Sequence, residues 1–292
     1  MKIETPGHYE IPMEVYHSDP APEPSLSRST IKDLITRSAA HAWYNSPRLN
    51  PDYQPDEGAG KFDVGTASHS ILLQGIDNVA VIEADDWRTK AAKEARDEAR
   101  KNGKTPLLAY QHEKVKKCVQ RAEAQLCGCP ELGIKNLKED GDSELSLFWK
   151  EESTWCRCRP DFISADRKLL LDIKFTELSV NPISLDRHII NMGYSIQAAF
   201  YVRGAKAIFG IEPKFILIFC EIQEPYICSF VGLTPGFMDF GKQQTEFGKF
   251  LWEKCLRNND WPAYENRVHY LEPPAWAITA WEEKSGELGL GK

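Results

Sequence analysis

The apolar and polar positions divide the chain into a helical first half and a strand-rich second half. Up to about residue 142, apolar side chains recur at the spacing of amphipathic helices, interrupted by a polar loop over residues 51–60. This spacing predicts helices over residues 27–45, 61–74, 87–102 and 108–126. Ser27 is suited to cap the first helix, Ser46-Pro47 to end it, and Gly103 to end the third.

Short apolar runs bounded by turn residues predict β-strands beyond residue 142. The runs cover residues 144–149, 155–158, 159–163, 171–174, 215–219 and 226–231. Two further helices are predicted over residues 194–209 and 237–258, the first of them ended by Gly210. Strands and helices in this order predict an α/β fold, with a mixed β-sheet flanked by helices and a helical N-terminal portion.

The same pattern predicts one large domain between two less regular ends. Residues 1–24 are rich in Pro, Glu and Asp and are expected to be irregular, with room for one short strand. A single domain follows over residues 25–270, helical to about residue 142, with its sheet in residues 143–231 and its last helix at 237–258. Residues 271–292 are expected to form a C-terminal tail.

Composition and charge change this picture little. The 292 residues are 42% hydrophobic and 27% charged, as in soluble globular proteins. They contain no apolar run of about 18 residues and no apolar core of a secretory signal near Met1, so we expect a cytoplasmic protein with no membrane partner. The net charge of −7 argues against a protein that coats nucleic acid non-specifically. It is compatible with a nuclease, because a local basic channel and a metal ion can offset the phosphates.

The eight cysteines are expected to be reduced thiols. Cys127 and Cys129, like Cys156 and Cys158, are separated by one residue, whereas structural zinc sites separate a pair by about two to four residues. We therefore interpret them as small buried side chains and expect no zinc site.

The strongest chemical signal lies in Arg159-Pro160-Asp161 and the strand that follows it. Asp172 and Lys174 are two residues apart on a predicted strand and so project from one face. The polar turn at residues 164–168 folds this strand back, which brings Asp161 to the same point. Two carboxylates beside an ammonium group suit Mg²⁺-assisted phosphodiester hydrolysis. This is the pattern of the PD-(D/E)XK nuclease superfamily.

Further candidates lie on the neighbouring helices and strands. Gln197 and Tyr201 are four residues apart on one helix face, in the position of a Gln-x-x-x-Tyr pair in the RecB-like branch of this superfamily; alternatively, Tyr201 is a half-buried helix aromatic. His69 follows small residues in a Gly-x-x-x-His pattern of the same branch and could ligate a divalent ion; alternatively, it is an ordinary core or surface histidine. In this branch an acidic residue at the position of Glu144 often lies at the rim of the site, so Glu144 could support a second metal or water; alternatively, it is a solvated edge residue.

Arg28 lies at a helix start between Ser27 and Ser29, where exposed backbone N–H groups favour an anion. A phosphate pocket there is one interpretation, and a solvated first-turn arginine is the other. The basic residues of 90–104 alternate with acidic ones, which favours a solvated helix face over a DNA track.

Together these motifs resemble the RecE-like exonucleases, the catalytic domains of the exodeoxyribonuclease VIII type. The resemblance covers most of the chain and is carried by residues 26–29, 64–69, 156–163, 171–176, 197–201, 261–263 and 274–277. Some nucleases of the superfamily hold an iron–sulfur cluster through a late group of three cysteines. Only Cys255 lies beyond residue 228 here, so no cluster is expected.

The resemblance implies Mg²⁺-dependent degradation of linear double-stranded DNA from its 5′ ends, with Mn²⁺ able to substitute, in the cytoplasm of a bacterial or phage-infected cell. It implies a RecT-type single-strand annealing partner for the 3′-ended strand, and a homo-oligomeric ring, a tetramer or trimer. The implied metal ligands are His69, Asp161, Asp172 and the carbonyl of Ile173. Lys174 would activate water, and Gln197, Tyr201 and Glu144 would support the site. The alternatives are an endonuclease or repair nuclease on the same core, and a non-catalytic DNA-binding module.

Overall fold

The computed structural model describes residues 2–54, 63–75 and 78–287. Most of the predicted loop at residues 51–60, and the first two residues of the helix predicted at 61–74, lie outside them. The chain divides into two units, Met1–Pro262 and Ala263–Lys292. Among the described residues, no helix is both long and apolar enough to span a membrane.

The described chain contains ten strands and ten α-helices. The strands are β1 (Gly7–Tyr9), β2 (Val79–Ile82), β3 (Thr105–Leu108), β4 (Gly141–Ser143), β5 (Ser146–Glu151), β6 (Thr154–Cys158), β7 (Phe162–Ser164), β8 (Leu169–Thr176), β9 (Lys214–Glu221) and β10 (Cys228–Gly232). The helices are α1 (Met13–His17), α2 (Arg28–Thr36), α3 (Ala39–Tyr44), α4 (Asp63–Gln74), α5 (Lys90–Lys101), α6 (Ala109–Cys127), α7 (Asp186–Met192), α8 (Tyr194–Phe209), α9 (Pro235–Asn258) and α10 (Ala275–Glu287). A short 3₁₀ helix spans Pro182–Ser184.

A mixed five-stranded sheet forms the centre of the first unit, as the sequence predicted. Its strand order is β10-β9-β8-β7-β4. The β8 and β9 strands are parallel, and the other neighbours are antiparallel. Because parallel strands need a crossover, the connection from β8 to β9 carries α7 and α8. This crossover brings α8 onto the sheet beside the strand that bears Asp172 and Lys174.

The alternation along β8 decides which face of the sheet carries the polar site. Leu170 packs in the core cluster that includes residues of α8, such as Ile196. Leu171 and Ile173 pack in a second cluster, with residues of α4 and α6. Asp172 is two residues from Leu170, so it projects towards α8. The packing of these two clusters therefore determines which face of the sheet carries the polar site.

Residues 144–158 were predicted to form a hairpin in the central sheet, but they belong to a separate sheet. β5 and β6 pair with each other, and β5 also pairs with β1 to give a three-stranded sheet. Residues 1–24 therefore contain β1, the one short strand that was allowed for, and also the helix α1, which was not expected. The reason is burial: Ile3, Ile11 and Tyr16 pack against Phe148 and Trp155 in one cluster. A few apolar side chains among many polar ones were enough to order the segment.

The helix predicted over residues 27–45 is two helices, so the prediction of one continuous helix was wrong. Ser27 caps α2 as expected, because its side chain accepts a hydrogen bond from the Thr30 amide. Arg37 then leaves the helical conformation, with φ −126° and ψ −99°. Ser38 caps α3 by accepting from the amide of His41. A serine with its own N-cap geometry thus restarts the chain in a second helix.

The long helix α9 is held close against α8 by a glycine. A Cβ atom at Gly241 would lie 2.1 Å from the carbonyl oxygen of Ser195, a contact no real side chain makes. Only glycine permits this approach to the first turn of α8. The close packing positions the part of α8 that carries Gln197.

The second unit has no buried core among its described residues. Residues 263–274 form no regular helix or strand, and the helix α10 follows them. Large apolar side chains are exposed in this unit, among them Trp276 at 74% and Trp281 at 66%. Such a segment presents a contact surface without a core of its own.

Candidate active site

The structure brings together the three residues of the sequence motif. Asp161 lies directly before β7, and its Oδ2 accepts a hydrogen bond of 2.6 Å from the amide of Ile173. The ammonium nitrogen of Lys174 is 2.8 Å from Oδ2 of Asp172 and 3.9 Å from Oδ2 of Asp161. The return of β8 onto β7 therefore places one cation between two carboxylates.

Asp172 is fully buried and is held from two sides. Its Oδ1 accepts a hydrogen bond of 2.5 Å from Nε2 of Gln197 on α8. Its Oδ2 has the Lys174 ammonium as a neighbour but accepts no hydrogen bond of good geometry from the described residues. A buried carboxylate oxygen with unused acceptor capacity is a feature expected where a metal ion or water binds. The amide of the neighbouring Ile173 donates a hydrogen bond to Asp161. The contact of the Ile173 carbonyl with a metal stays a prediction.

A second group of possible ligands lies next to Asp161. One ligand atom each from His69, Glu144 and Asp161 lies within 4.8 Å of the other two. His69 Nε2 is 3.1 Å from Asp161 Oδ2, and His69 Nδ1 is 3.6 Å from Glu144 Oε1. One imidazole nitrogen and two carboxylates form a donor set that can hold a divalent cation. Asp172 is outside this group, although the family resemblance implies that it is a ligand.

Glu144 is not on a strand, where the sequence placed it. It lies between β4 and β5 with a left-handed backbone, φ 56°, and its amide donates to the carbonyl of Asp161 at 3.0 Å. Its side chain is buried, with only 8% exposed. The solvated edge residue considered as the alternative interpretation is therefore excluded.

Arg159 is a residue of the site that the sequence analysis missed. Its Nε donates a hydrogen bond of 2.5 Å to Glu144 Oε2. A second guanidinium nitrogen donates to the carbonyl of Ile11 and to Ser146 Oγ. The arginine thereby fixes one oxygen of Glu144 and leaves the other facing His69. Its position directly before Pro160-Asp161 was the available signal, but its partner is set by the tertiary fold.

The electrostatics of the site favour bound positive charge. Burial raises the pKa of Asp161, but Lys174 and His69 outweigh it and lower that pKa to about 2. Burial also raises the pKa of Asp172, and the charge of Lys174 offsets this rise only in part. Burial lowers the pKa of Lys174 and of His69, but the carboxylates around each raise it above its ordinary value. The carboxylates thus favour the protonated forms of Lys174 and His69. A divalent cation bound at the site could replace such a proton.

Tyr201 lies one turn after Gln197 on α8, as predicted, but it faces an apolar neighbour. Its ring meets Phe215 edge-on, with centroids 6.3 Å apart. Burial raises the pKa of its hydroxyl, with Tyr16 and Asp172 among the nearby groups. The position fits support of the wall beside Asp172, as well as the alternative of a buried helix aromatic.

Arg28 reaches the rim of the site from the first turn of α2. Its guanidinium donates a hydrogen bond to the carbonyl of Met192, and it lies over the ring of Tyr194, 5.6 Å from the centroid. The hydroxyls of Ser27 and Ser29 are 3.0 Å apart and bonded to each other. The charge of Arg28 is therefore placed near the carboxylates, while the two serines are occupied in capping contacts.

Three basic residues of α5 form ion pairs with acidic side chains. Lys90 lies near Glu94, Arg96 contacts Asp97, and Arg100 pairs with Asp63 at 3.2 Å. This agrees with the interpretation of a solvated face on α5.

The chain belongs to a known family of PD-(D/E)XK-like proteins. The sequence profile of the PDDEXK-like domain of unknown function, DUF3799, matches residues 27–274. This span contains every site residue described above. The predicted membership of the PD-(D/E)XK superfamily is therefore confirmed, and with it the predicted fold.

Three solved structures that match the chain are described as exonucleases. A crystal structure named "Putative exonuclease" from Eubacterium rectale is 13% identical, covers 93% of this chain and 99% of its own, and superposes with a TM-score of 0.58. An alkaline exonuclease from Laribacter hongkongensis is 14% identical over 66% of this chain and 90% of its own, with a TM-score of 0.27. A phage related exonuclease from Haemophilus somnus 129PT is 14% identical over 67% and 95%, with a TM-score of 0.29. The first match shows the fold, and the other two are too weak to carry an argument. No curated protein matches the chain.

Proposed function

We propose that this protein is a Mg²⁺-dependent exonuclease that degrades linear double-stranded DNA from its 5′ ends and leaves 3′-ended single strands. The observation that carries the proposal is the placement of the Lys174 ammonium between the carboxylates of Asp161 and Asp172. A PD-(D/E)XK fold with this arrangement suits phosphodiester hydrolysis. The 5′-to-3′ direction rests on the resemblance to the RecE-like exonucleases.

The donor set fits a hard divalent cation. His69, Asp161 and Glu144 converge, and Asp172 offers a buried oxygen with unused acceptor capacity. We assign the metal to His69, Asp161, Asp172 and the carbonyl of Ile173, with Glu144 at the rim. When bound there, Mg²⁺ or Mn²⁺ would supply Lewis-acid polarisation of the scissile phosphate and offset the charge that develops on its oxygens.

The protein's own groups prepare the water and the substrate. The ammonium group of Lys174 lies beside both carboxylates. From there it stabilises the developing hydroxide and orients it towards the phosphate. Gln197 fixes Asp172 through Oδ1 and keeps Oδ2 directed at the reaction centre. Tyr201 supports the same helix face one turn further on. Attack in line with the leaving ester oxygen then needs no covalent intermediate with the protein.

Arg28 is our candidate for recognition of the terminal 5′ phosphate. Its guanidinium is charged, lies near the carboxylates and can bind phosphate through two parallel hydrogen bonds. Ser27 and Ser29 flank it and would contribute their backbone N–H groups. This site gives an exonuclease a second phosphate contact besides the scissile one.

We further propose that the protein assembles as a ring, a trimer or tetramer, and passes its 3′-ended product to a RecT-type annealing protein. The exposed apolar side chains of the second unit, such as Trp276 and Trp281, support a subunit contact. Sedimentation of the full chain at micromolar concentration tests the ring, and a monomer alone would contradict it.

Digestion of matched duplexes distinguishes the exonuclease from an endonuclease or repair nuclease on the same fold. Linear and covalently closed circular DNA are incubated with Mg²⁺, and the linear substrate is labelled at either its 5′ or its 3′ end. We expect early release of the 5′ label and an intact circle. Cutting of the circle would favour the endonuclease. A non-catalytic DNA-binding module would cleave neither substrate, although Asp161, Asp172 and Lys174 are all present.

A further inference from the structure

Two cations of the site share one aromatic ring. The guanidinium carbon of Arg28 lies over Tyr194 at 5.6 Å from the ring centroid, and the ammonium of Lys174 lies over the same ring at 5.8 Å. Tyr194 is the first residue of α8, and only 6% of it is exposed. Its ring therefore contacts both the proposed end-recognition residue and the residue proposed to activate water.

The ring itself is firmly held. His188 meets it edge-on at 5.8 Å between centroids, and Phe219 packs against it at 5.8 Å. Gly193, which precedes it, adopts a left-handed backbone, φ 68°, so that α8 can begin directly after α7. Arg28 is also fixed to this junction, because it donates to the carbonyl of Met192. The aromatic ring is thus part of a rigid corner and not a mobile surface group.

An aromatic face attracts cations through its quadrupole, most strongly where water is excluded. Arg28 has the greater need of such support, because Lys174 already lies beside two carboxylates. Arg28 has a buried Nε with no hydrogen-bond partner among the described residues, and Lys174 is a partly buried ammonium. The ring stabilises both charges without neutralising them, which a carboxylate in the same place would do. A phosphate can therefore still bind to Arg28.

We propose that Tyr194 is a positioning residue that holds Arg28 and Lys174 on one ring, so that recognition of the end phosphate and hydrolysis depend on the same side chain. This inference rests on the proposed function and goes beyond it. Tyr194 lies three residues before Gln197, so both side chains project from the same face of α8.

Substitutions at position 194 test the ring directly. Tyr194→Phe keeps the aromatic face and should keep the wild-type rate within about twofold. Tyr194→Leu removes the face and should slow hydrolysis on the order of tenfold, through loss of the cation–ring contact. It should also narrow the preference for 5′-phosphorylated over 5′-hydroxyl ends by the same factor as Arg28→Ala. In the Arg28→Ala background, Tyr194→Leu should narrow that preference no further.

Two controls separate positioning from mere packing. Phe200→Leu removes a buried aromatic from the same helix, where it packs on Trp149 and not on the cations. This variant should keep the wild-type end preference. Pentafluorophenylalanine in place of Tyr194 keeps the ring shape but inverts its electrostatic face, and it replaces the leucine variant if the latter does not fold. It should behave like Tyr194→Leu.

Binding of the same two duplexes, measured by fluorescence anisotropy with Ca²⁺ in place of Mg²⁺, gives a readout that does not need hydrolysis. We expect the 5′-phosphorylated duplex to bind more tightly to the wild type, and Tyr194→Leu to lose this difference. An unchanged difference in the leucine or pentafluoro variant overturns the proposal, as does equal binding of both ends by the wild type. Failure of the proposed nuclease function would give a different result: a wild-type protein that binds the two ends selectively but cleaves no DNA.

Discussion

Gln197 donates a hydrogen bond of 2.5 Å to Oδ1 of Asp172, and this bond joins the crossover helix α8 to the strand β8 at the centre of the site. Asp172 is fully buried, so the orientation of its carboxylate is set by neighbouring protein groups and not by solvent. Gln197 holds one oxygen, and Lys174 lies beside the other. Under the proposed function, the Gln197 side chain orients Asp172 so that Oδ2 can take part in the reaction.

Gln197→Leu should reduce hydrolysis about 10- to 100-fold, because a hydrogen bond to a charged group contributes about 1.5–3 kcal/mol. Initial rates at saturating Mg²⁺, with thermal unfolding as a check of folding, measure the effect. Gln243→Leu, at an exposed glutamine on α9, is the matched control and should be neutral. A folded Gln197→Leu protein with the wild-type rate would show that Asp172 is oriented by other groups.

His69→Ala should shift the Mg²⁺ dependence of hydrolysis to higher concentration, on the order of tenfold. His69 is 3.1 Å from Asp161 and belongs to the group of three possible ligands, so its loss removes one donor. Metal titration of the rate measures the shift, supported by isothermal calorimetry of Mg²⁺ binding. His8→Ala, at an exposed histidine on β1, serves as the control. An unchanged titration would remove His69 from direct contact with the metal.

Arg159→Met should lower the free energy of unfolding by about 3 kcal/mol, because it leaves the buried carboxylate of Glu144 without its cation. Both side chains are nearly buried, at 9% and 8% exposure. Urea unfolding measures the loss, and Glu144→Gln in the same chain should restore part of it. The exposed pair of Lys206 and Glu212 provides the comparison, since Lys206→Met should cost less than about 1 kcal/mol. Equal losses in the two methionine variants would contradict a structural role for the Arg159–Glu144 pair.

The motif residues could be predicted because their spacing is local. Asp172 and Lys174 follow the two-residue period of a strand, and a short polar turn separates them from Asp161. His69 and Gln197 lie on predicted helices, in a Gly-x-x-x-His pattern and a Gln-x-x-x-Tyr pattern of the same superfamily branch. Local periodicity and turn chemistry were sufficient for Asp161, Asp172 and Lys174, whereas His69 and Gln197 were singled out by the resemblance to the RecB-like branch.

Contacts between distant segments could not be predicted. The partner of Arg159 is Glu144, whose left-handed backbone depends on how β4 passes to β5. The pairing of β1 with β5 depends on burial of Ile3 and Ile11, which the polar composition of the N-terminal segment concealed. The ring of Tyr194 contacts Arg28 of α2 and Lys174 of β8, two segments that only the fold brings together.

The most direct test of the account is hydrolysis of linear duplex DNA by Asp172→Ala, in parallel with Asp161→Ala and Lys174→Ala. Under the proposed function these polar groups serve the reaction and not the packing of the core. Each variant should therefore fold, as judged by circular dichroism and thermal unfolding, and lose Mg²⁺-dependent hydrolysis. We predict a folded Asp172→Ala protein with no measurable release of the labelled 5′ end. A folded Asp172→Ala protein that digests the duplex at close to the wild-type rate would contradict the assignment of this site.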